Sequence, residues 1–127
     1  MTTPEFSYLA PAEVSTELLE LLPEQGSVEL QNDQPGKVFA WHKHDRHEEL
    51  FVLSGDVTLF WVDAEGSYHE QECGQGSYIK LPAGTVHGST AGGEGAHYVI
   101  KPEGGQTAVT TFLPQAEWPY PPASPVA

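Results

Sequence analysis

Apolar residues recur three and four apart in one place, Thr16-Glu-Leu-Leu-Glu-Leu-Leu22. This predicts a two-turn helix, capped by Ser15 or Thr16 and ended by Pro23. Beyond Pro23 the pattern changes to short extended runs: Ser27–Asn32, Lys37–Lys43, Glu48–Leu53, Val57–Asp63, Tyr68–Cys73, Ser77–Leu81, His97–Ile100 and Ala108–Phe112. Glycine- and proline-bearing breakers divide them, among them Ser54-Gly55, Asp63-Ala-Glu-Gly66, Pro82-Ala-Gly84 and Gly92-Gly-Glu-Gly95. Short strands at this spacing predict an all-β antiparallel sandwich or barrel with a short N-terminal helix, not βαβ units. The expected layout is an arm with the helix over residues 1–26, a barrel over 27–114 and a Pro-rich tail over 115–127. Prolines keep the tail out of any central strand. It either packs as an arm on the barrel or on a second subunit, or stays free.

Alternation places Glu48, Leu50 and Val52 on one strand face and Glu49, Phe51 and Leu53 on the other. A carboxylate among apolar residues is costly unless it is paired or bound to a metal. His42 and His44, two apart, share a face, and His87 follows the Pro82-Ala-Gly84 turn that can carry it back toward the barrel mouth. Local packing does not require three imidazoles and a carboxylate set among strands, but a metal ion does. The donors His42, His44, Glu48 and His87 suit one divalent ion per chain: iron, manganese, nickel, copper or zinc. Four protein ligands leave open positions on a five- or six-coordinate ion, and open positions allow catalysis.

Tyr78 and Lys80 precede Pro82 at period two. Facing inward, they would be catalytic donors beside the metal, holding a substrate carboxylate or enolate. Facing outward, they would leave Ile79 and Leu81 as the core pair, the arrangement apolarity favours. His47, His69 and His97 read as surface or interface residues. Trp41, Phe60, Trp61, Tyr98 and Phe112 are core or interface candidates.

The chain has 127 residues, enough for one domain. Eighteen acidic residues against five basic ones give a formal charge of −13. Four lysines and the lone Arg46 are too few to favour nucleic acid or an anionic membrane as partner. The single Cys73 forms no internal disulfide, the start lacks the pattern of a signal peptide, and no apolar run is long enough to span a bilayer. A cytoplasmic location is expected. Phe51, Leu53 and one face of Val57–Val62 need cover, which predicts a homodimer.

Two spaced clusters carry a family resemblance. Gly36, His42, His44, Glu48 and Gly55 match a signature of glycine, five residues, His-x-His, three or four residues, Glu, six residues and glycine. Gly76, Pro82, Gly84 and His87 match a second, in which Ala91 stands where Asn is usual. The chain thus resembles the cupin superfamily, small barrels of the double-stranded β-helix, or jelly-roll, type. The resemblance implies metal ligation by His42, His44, Glu48 and His87. The six-residue gap to Gly55 favours Glu48 over Glu49, which could replace it only through a one-residue bulge. The family spans dioxygenases, isomerases, epimerases, lyases, cyclases, storage proteins and ligand-sensing domains. The expected activity is an Fe(II)-type dioxygenase acting on a small oxygen-chelating substrate. The alternatives are a non-redox metal-dependent isomerase, cyclase or lyase, a non-catalytic ligand-binding barrel, and a purely structural metal.

Overall fold

The computed structural model describes residues 3–10, 13 and 15–120. Helix α1 (Thr16–Leu21) is capped by Ser15, whose hydroxyl accepts the Leu18 N–H at 3.1 Å, and it stops two residues before Pro23, with Leu22 as its C-cap. Seven strands follow: β1 (Glu29–Asp33), β2 (Val38–His44), β3 (Glu48–Val62), β4 (Tyr68–Gly74), β5 (Tyr78–Leu81), β6 (His87–Pro102) and β7 (Thr110–Phe112). Every pairing is antiparallel. Strands β3 and β6 are long and lie side by side through most of their length. The first part of β3 pairs with β5 and its second part with β4, while β6 pairs with β2 near its start and β1 near its end. Each long strand thus passes through both layers, and the layers fold over one another as a jelly-roll barrel. The fold is all-β apart from the short helix, as the spacing predicted.

Two predicted breaks do not interrupt the strands. Ser54-Gly55 sits inside β3, where the register with β6 shifts, so the two runs either side form one bulged strand. Gly55 has φ +73°, and a Cβ there would lie 2.0 Å from the Gly95 carbonyl oxygen on β6. This glycine permits a close approach of two backbones and does not end a strand. Gly92-Gly-Glu-Gly95 is likewise absorbed into β6. The Asp63 turn does break the chain: its Oδ1 accepts the N–H groups of Glu65 and Ser67, and Gly66 has φ +81°.

A cluster of Val52, Val57, Cys73, Ala91, Ala96 and Tyr98 fills part of the interior. Ala91 therefore lies within apolar packing, and burial pushes the Cys73 thiol pKa up. Trp41 and Phe60 are fully buried and meet edge to face at 4.8 Å. The Trp41 Nε1–H donates to the Tyr120 carbonyl, and the Trp118 Nε1–H donates to the Leu113 carbonyl at 2.9 Å. The first part of the tail thus packs on the barrel, while Pro121–Ala127 lies outside the described residues. Among the described residues, no helix is long and apolar enough to cross a membrane.

Candidate metal centre

His42, His44 and His87 converge at one end of the barrel. In β2 the register against β6 slips between Phe39 and His42, so three residues of β2 span two of β6. Strict alternation would put Phe39 and His42 on opposite faces, but the slip turns both, with His44, into the same cavity. His42 lies opposite His87 on β6 and opposite Phe112 on β7, while His44 lies opposite Thr110. The three imidazoles each offer a nitrogen within 4.8 Å of the others. Their ring centroids are 4.2 Å apart for His42–His87, 4.9 Å for His42–His44 and 5.1 Å for His44–His87.

Hydrogen bonds orient these rings. His42 Nδ1 donates to the Ala40 carbonyl at 2.6 Å, and His87 Nδ1 donates to the Thr85 carbonyl at 2.8 Å. A carbonyl only accepts, so the proton sits on Nδ1 and Nε2 keeps its lone pair for an ion. His44 Nδ1 meets the Thr110 hydroxyl at 2.9 Å. Burial is the first cause holding all three rings neutral. It lowers the His42 pKa, takes His44 to about 4 with help from His42, and takes His87 to about 3.

Glu48 opens β3, where it pairs with Leu81 and Pro102, and its side chain is 4% exposed. Its Oε1 lies 3.3 Å from His44 Nε2. Burial, then the Glu29 and Asp45 charges, pushes its pKa up to about 7. The contact therefore joins two groups whose charged forms are both disfavoured, and it is no ordinary ion pair. The donor atoms that lie mutually within 4.8 Å are those of His42, His44 and His87; Glu48 stands beside His44 and outside that group, and the three neutral imidazoles are the donor set that would suit a divalent ion.

A cavity of about 190 Å³ opens on these groups. Its walls are largely apolar, including Phe39, Leu50, Leu59, Ile79, Leu81 and Ile100. Glu29, Gln31, Ser89, Tyr98 and Thr110 add polar atoms. Tyr78 and Lys80 need correction as candidate catalytic donors. Both are exposed, and it is Ile79 and Leu81 that face the cavity. Tyr78 and Lys80 border a separate, wider cleft of about 690 Å³ with Trp61, Asp63 and Gln71. A hydrogen bond to Glu49 leads the causes pushing the Tyr78 phenol pKa up to about 12. Glu49 lies between Lys80 and Lys101 in register, away from the ring cluster.

The other histidines stay outside the cluster. His47 Nδ1 accepts the Ala83 N–H at 2.9 Å, His69 bonds Asp63, and His97 bonds Ser54. Sequence reasoning named Ser27–Asn32 only as an extended run and did not single out Glu29 and Gln31 as cavity residues. The available signal was the polar run Glu29-x-Gln31-x-Asp33 at period two.

An antiparallel jelly-roll barrel with a three-histidine cluster at its mouth defines a class of small metal-binding barrels. The model described as "Cupin domain" matches residues 29–100, and the chain belongs to that family. Among solved structures, a variant of Bacillus subtilis oxalate decarboxylase is similar with a TM-score of 0.64 and 22% identity, over 79% of this chain and 27% of that one. The recombinant pro-11S globulin of pumpkin is similar with a TM-score of 0.62 and 19% identity, over 68% of this chain and 23% of that one. The chain thus spans about a quarter of the length of these structures, and the likeness shows the fold. No curated protein sequence matches significantly.

Proposed function

We propose that the chain holds one divalent transition-metal ion on His42, His44, His87 and Glu48 and acts on a small oxygen-chelating molecule as an Fe(II)-type dioxygenase. One observation carries this reading: three imidazole nitrogens within 4.8 Å at a cavity mouth, two of the rings with Nδ1 tied to a backbone carbonyl. Such an ion supplies O2 activation if it is iron, or Lewis-acid polarisation if it is zinc, nickel or manganese. The chain's own residues do the remaining work. The rings bind through Nε2, and the apolar walls exclude water and orient the ligand. Where Glu48 is not engaged as a ligand, its Oε1 can take a proton near neutral pH. The homodimer belongs to the same proposal, supported by the exposure of Leu30, Val109 and Phe112.

The test begins with elemental analysis of protein purified without chelator. About one ion per chain is expected, lost in His42→Ala and His87→Ala. Oxygen uptake by the Fe(II)-loaded protein with catechol-like, β-diketone and hydroxy-ketone compounds then addresses the reaction. Uptake at the metal-only background, with turnover by the zinc or nickel form, replaces the dioxygenase with a non-redox isomerase, cyclase or lyase. No turnover by any form, with ligand-dependent thermal stabilisation, leaves a binding protein.

A further inference from the structure

Strand β1 reverses the usual polarity of a barrel strand. Its inward positions are Glu29, Gln31 and Asp33, while Leu30 between them is 70% exposed. Polar groups on a largely apolar wall cost desolvation in proportion to their burial, and Glu29 and Gln31 are half-buried. Asp33 is accounted for, since its Oδ2 accepts the Tyr98 hydroxyl at 2.8 Å. That bond also occupies the only hydrogen Tyr98 could donate to a ligand. Among the described residues, the side chains of Glu29 and Gln31 make no hydrogen bond or ion pair, and both line the cavity. Glu29 thus places a carboxylate on the wall of the cavity that holds the ring cluster.

Among the described residues, no lysine or arginine lines the cavity. Lys37 stands exposed over the Phe39 ring at 5.2 Å but is not part of the lining, and Lys80 and Lys101 flank Glu49 elsewhere. With a divalent ion in place, its two positive charges are matched by Glu48 and Glu29. No excess positive charge remains for an anionic ligand, and the chain as a whole carries −13.

We propose that Glu29 selects ligands by charge, so that the cavity accepts an uncharged, mainly apolar molecule chelating through two oxygens and rejects dicarboxylates. This inference rests on the metal-centre reading above and names the substrate class of that site.

The probes are pentane-2,4-dione and malonate, which hold two oxygens across the same three-carbon spacing; the dione is neutral in solution and on chelation gives up at most one proton to buffer, whereas malonate brings two negative charges. Desalted Zn(II)-loaded protein is titrated with each by calorimetry, after zinc stoichiometry and melting temperature are recorded for every variant. Wild-type protein should bind the dione at least about tenfold more tightly than malonate, the scale of one nearby charge acting at an intermediate effective dielectric. Glu29→Gln should narrow that gap about tenfold, through tighter malonate binding with dione affinity within about twofold of wild type. Glu94→Gln removes an equal charge from an exposed β6 position outside the lining, so it should leave the gap unchanged. Equal binding of both probes by wild type, binding of neither, an unchanged gap in Glu29→Gln, or an equal narrowing in Glu94→Gln overturns the proposal. Wild-type protein that holds no ion overturns the metal-centre reading and this inference with it. A protein that holds zinc but does not discriminate overturns only the inference.

Discussion

Replacing Thr110 with valine removes one oxygen from the edge of the ring cluster and keeps the side-chain shape. His42 and His87 are oriented by backbone carbonyls, which no side-chain substitution deletes. His44 alone relies on a side chain, the Thr110 hydroxyl at 2.9 Å. Loss of such an outer hydrogen bond typically costs about 10- to 100-fold in metal affinity, and the exposure of Thr110 places it near the lower end, about tenfold. With metal at one hundred times the wild-type Kd, binding stabilises the wild type by about 2.7 kcal/mol and the variant by about 1.4 kcal/mol. Unfolding entropy of about 2.1 cal/mol/K per residue over 127 residues turns that difference into a melting temperature lower by about 5 °C. The metal-free proteins should melt within about 2 °C of each other, because valine suits an exposed strand position. Calorimetric metal titration and thermal melts with and without metal check this. Unchanged metal affinity, or an equal loss of melting temperature without metal, would refute the idea that Thr110 acts by orienting His44.

Four further outcomes are expected. Glu48→Gln should cut metal affinity severely by removing the anionic donor in the cavity, and Glu49→Gln only slightly; equal losses in metal titration would mean the wrong face was assigned. Glu48 also sets a pH dependence: a carboxyl raised from 4.5 to about 7 stabilises the metal-free fold below its unfolded pKa and loses that contribution as pH rises through 7. The three rings act in the opposite sense, with stability lost as pH falls below 6.5, so melts of metal-free Glu48→Gln should lose only the decline that runs from pH 4.5 to about 7. Gly55→Ala should destabilise by about 3 kcal/mol or more, or prevent folding, since its Cβ meets the Gly95 oxygen at 2.0 Å; a wild-type urea midpoint would contradict the close approach of β3 and β6. Tyr98→Phe should cost about 1.5–3 kcal/mol in urea unfolding by stripping the buried Asp33 carboxylate of its donor, and a neutral effect would show that water replaces the phenol.

The ring cluster was legible because ligand spacing is a local property. His42 and His44 lie two apart on one strand, and the glycines and proline around His87 set the turn that returns it to the mouth. The long strands were harder to read. A glycine where two backbones nearly touch looks the same in sequence as one that ends a strand, which is why Gly55 and Gly92–Gly95 read as breaks. The faces of β1 were not read from the sequence at all: its inner face looks into a cavity and not into packed core, so Glu29 and Gln31 point in and Leu30 points out. The slip in β2 that brings Phe39 to the same side as His42 leaves no mark in residue type. At β5, apolarity was the better guide, since Ile79 and Leu81 face the cavity and Tyr78 and Lys80 do not.

His42 and His87 each lean on a carbonyl two residues earlier in their own segment, so the aim of these donors travels with short stretches of backbone and is insulated from the walls. Gln31, Ser89 and Ile100 line the same cavity and make no contact that holds a ring in place. The barrel can therefore be recut for differently shaped guests at these three positions while its donor geometry stays intact. For an engineer, that separates where a library should be diversified from where it should be left alone.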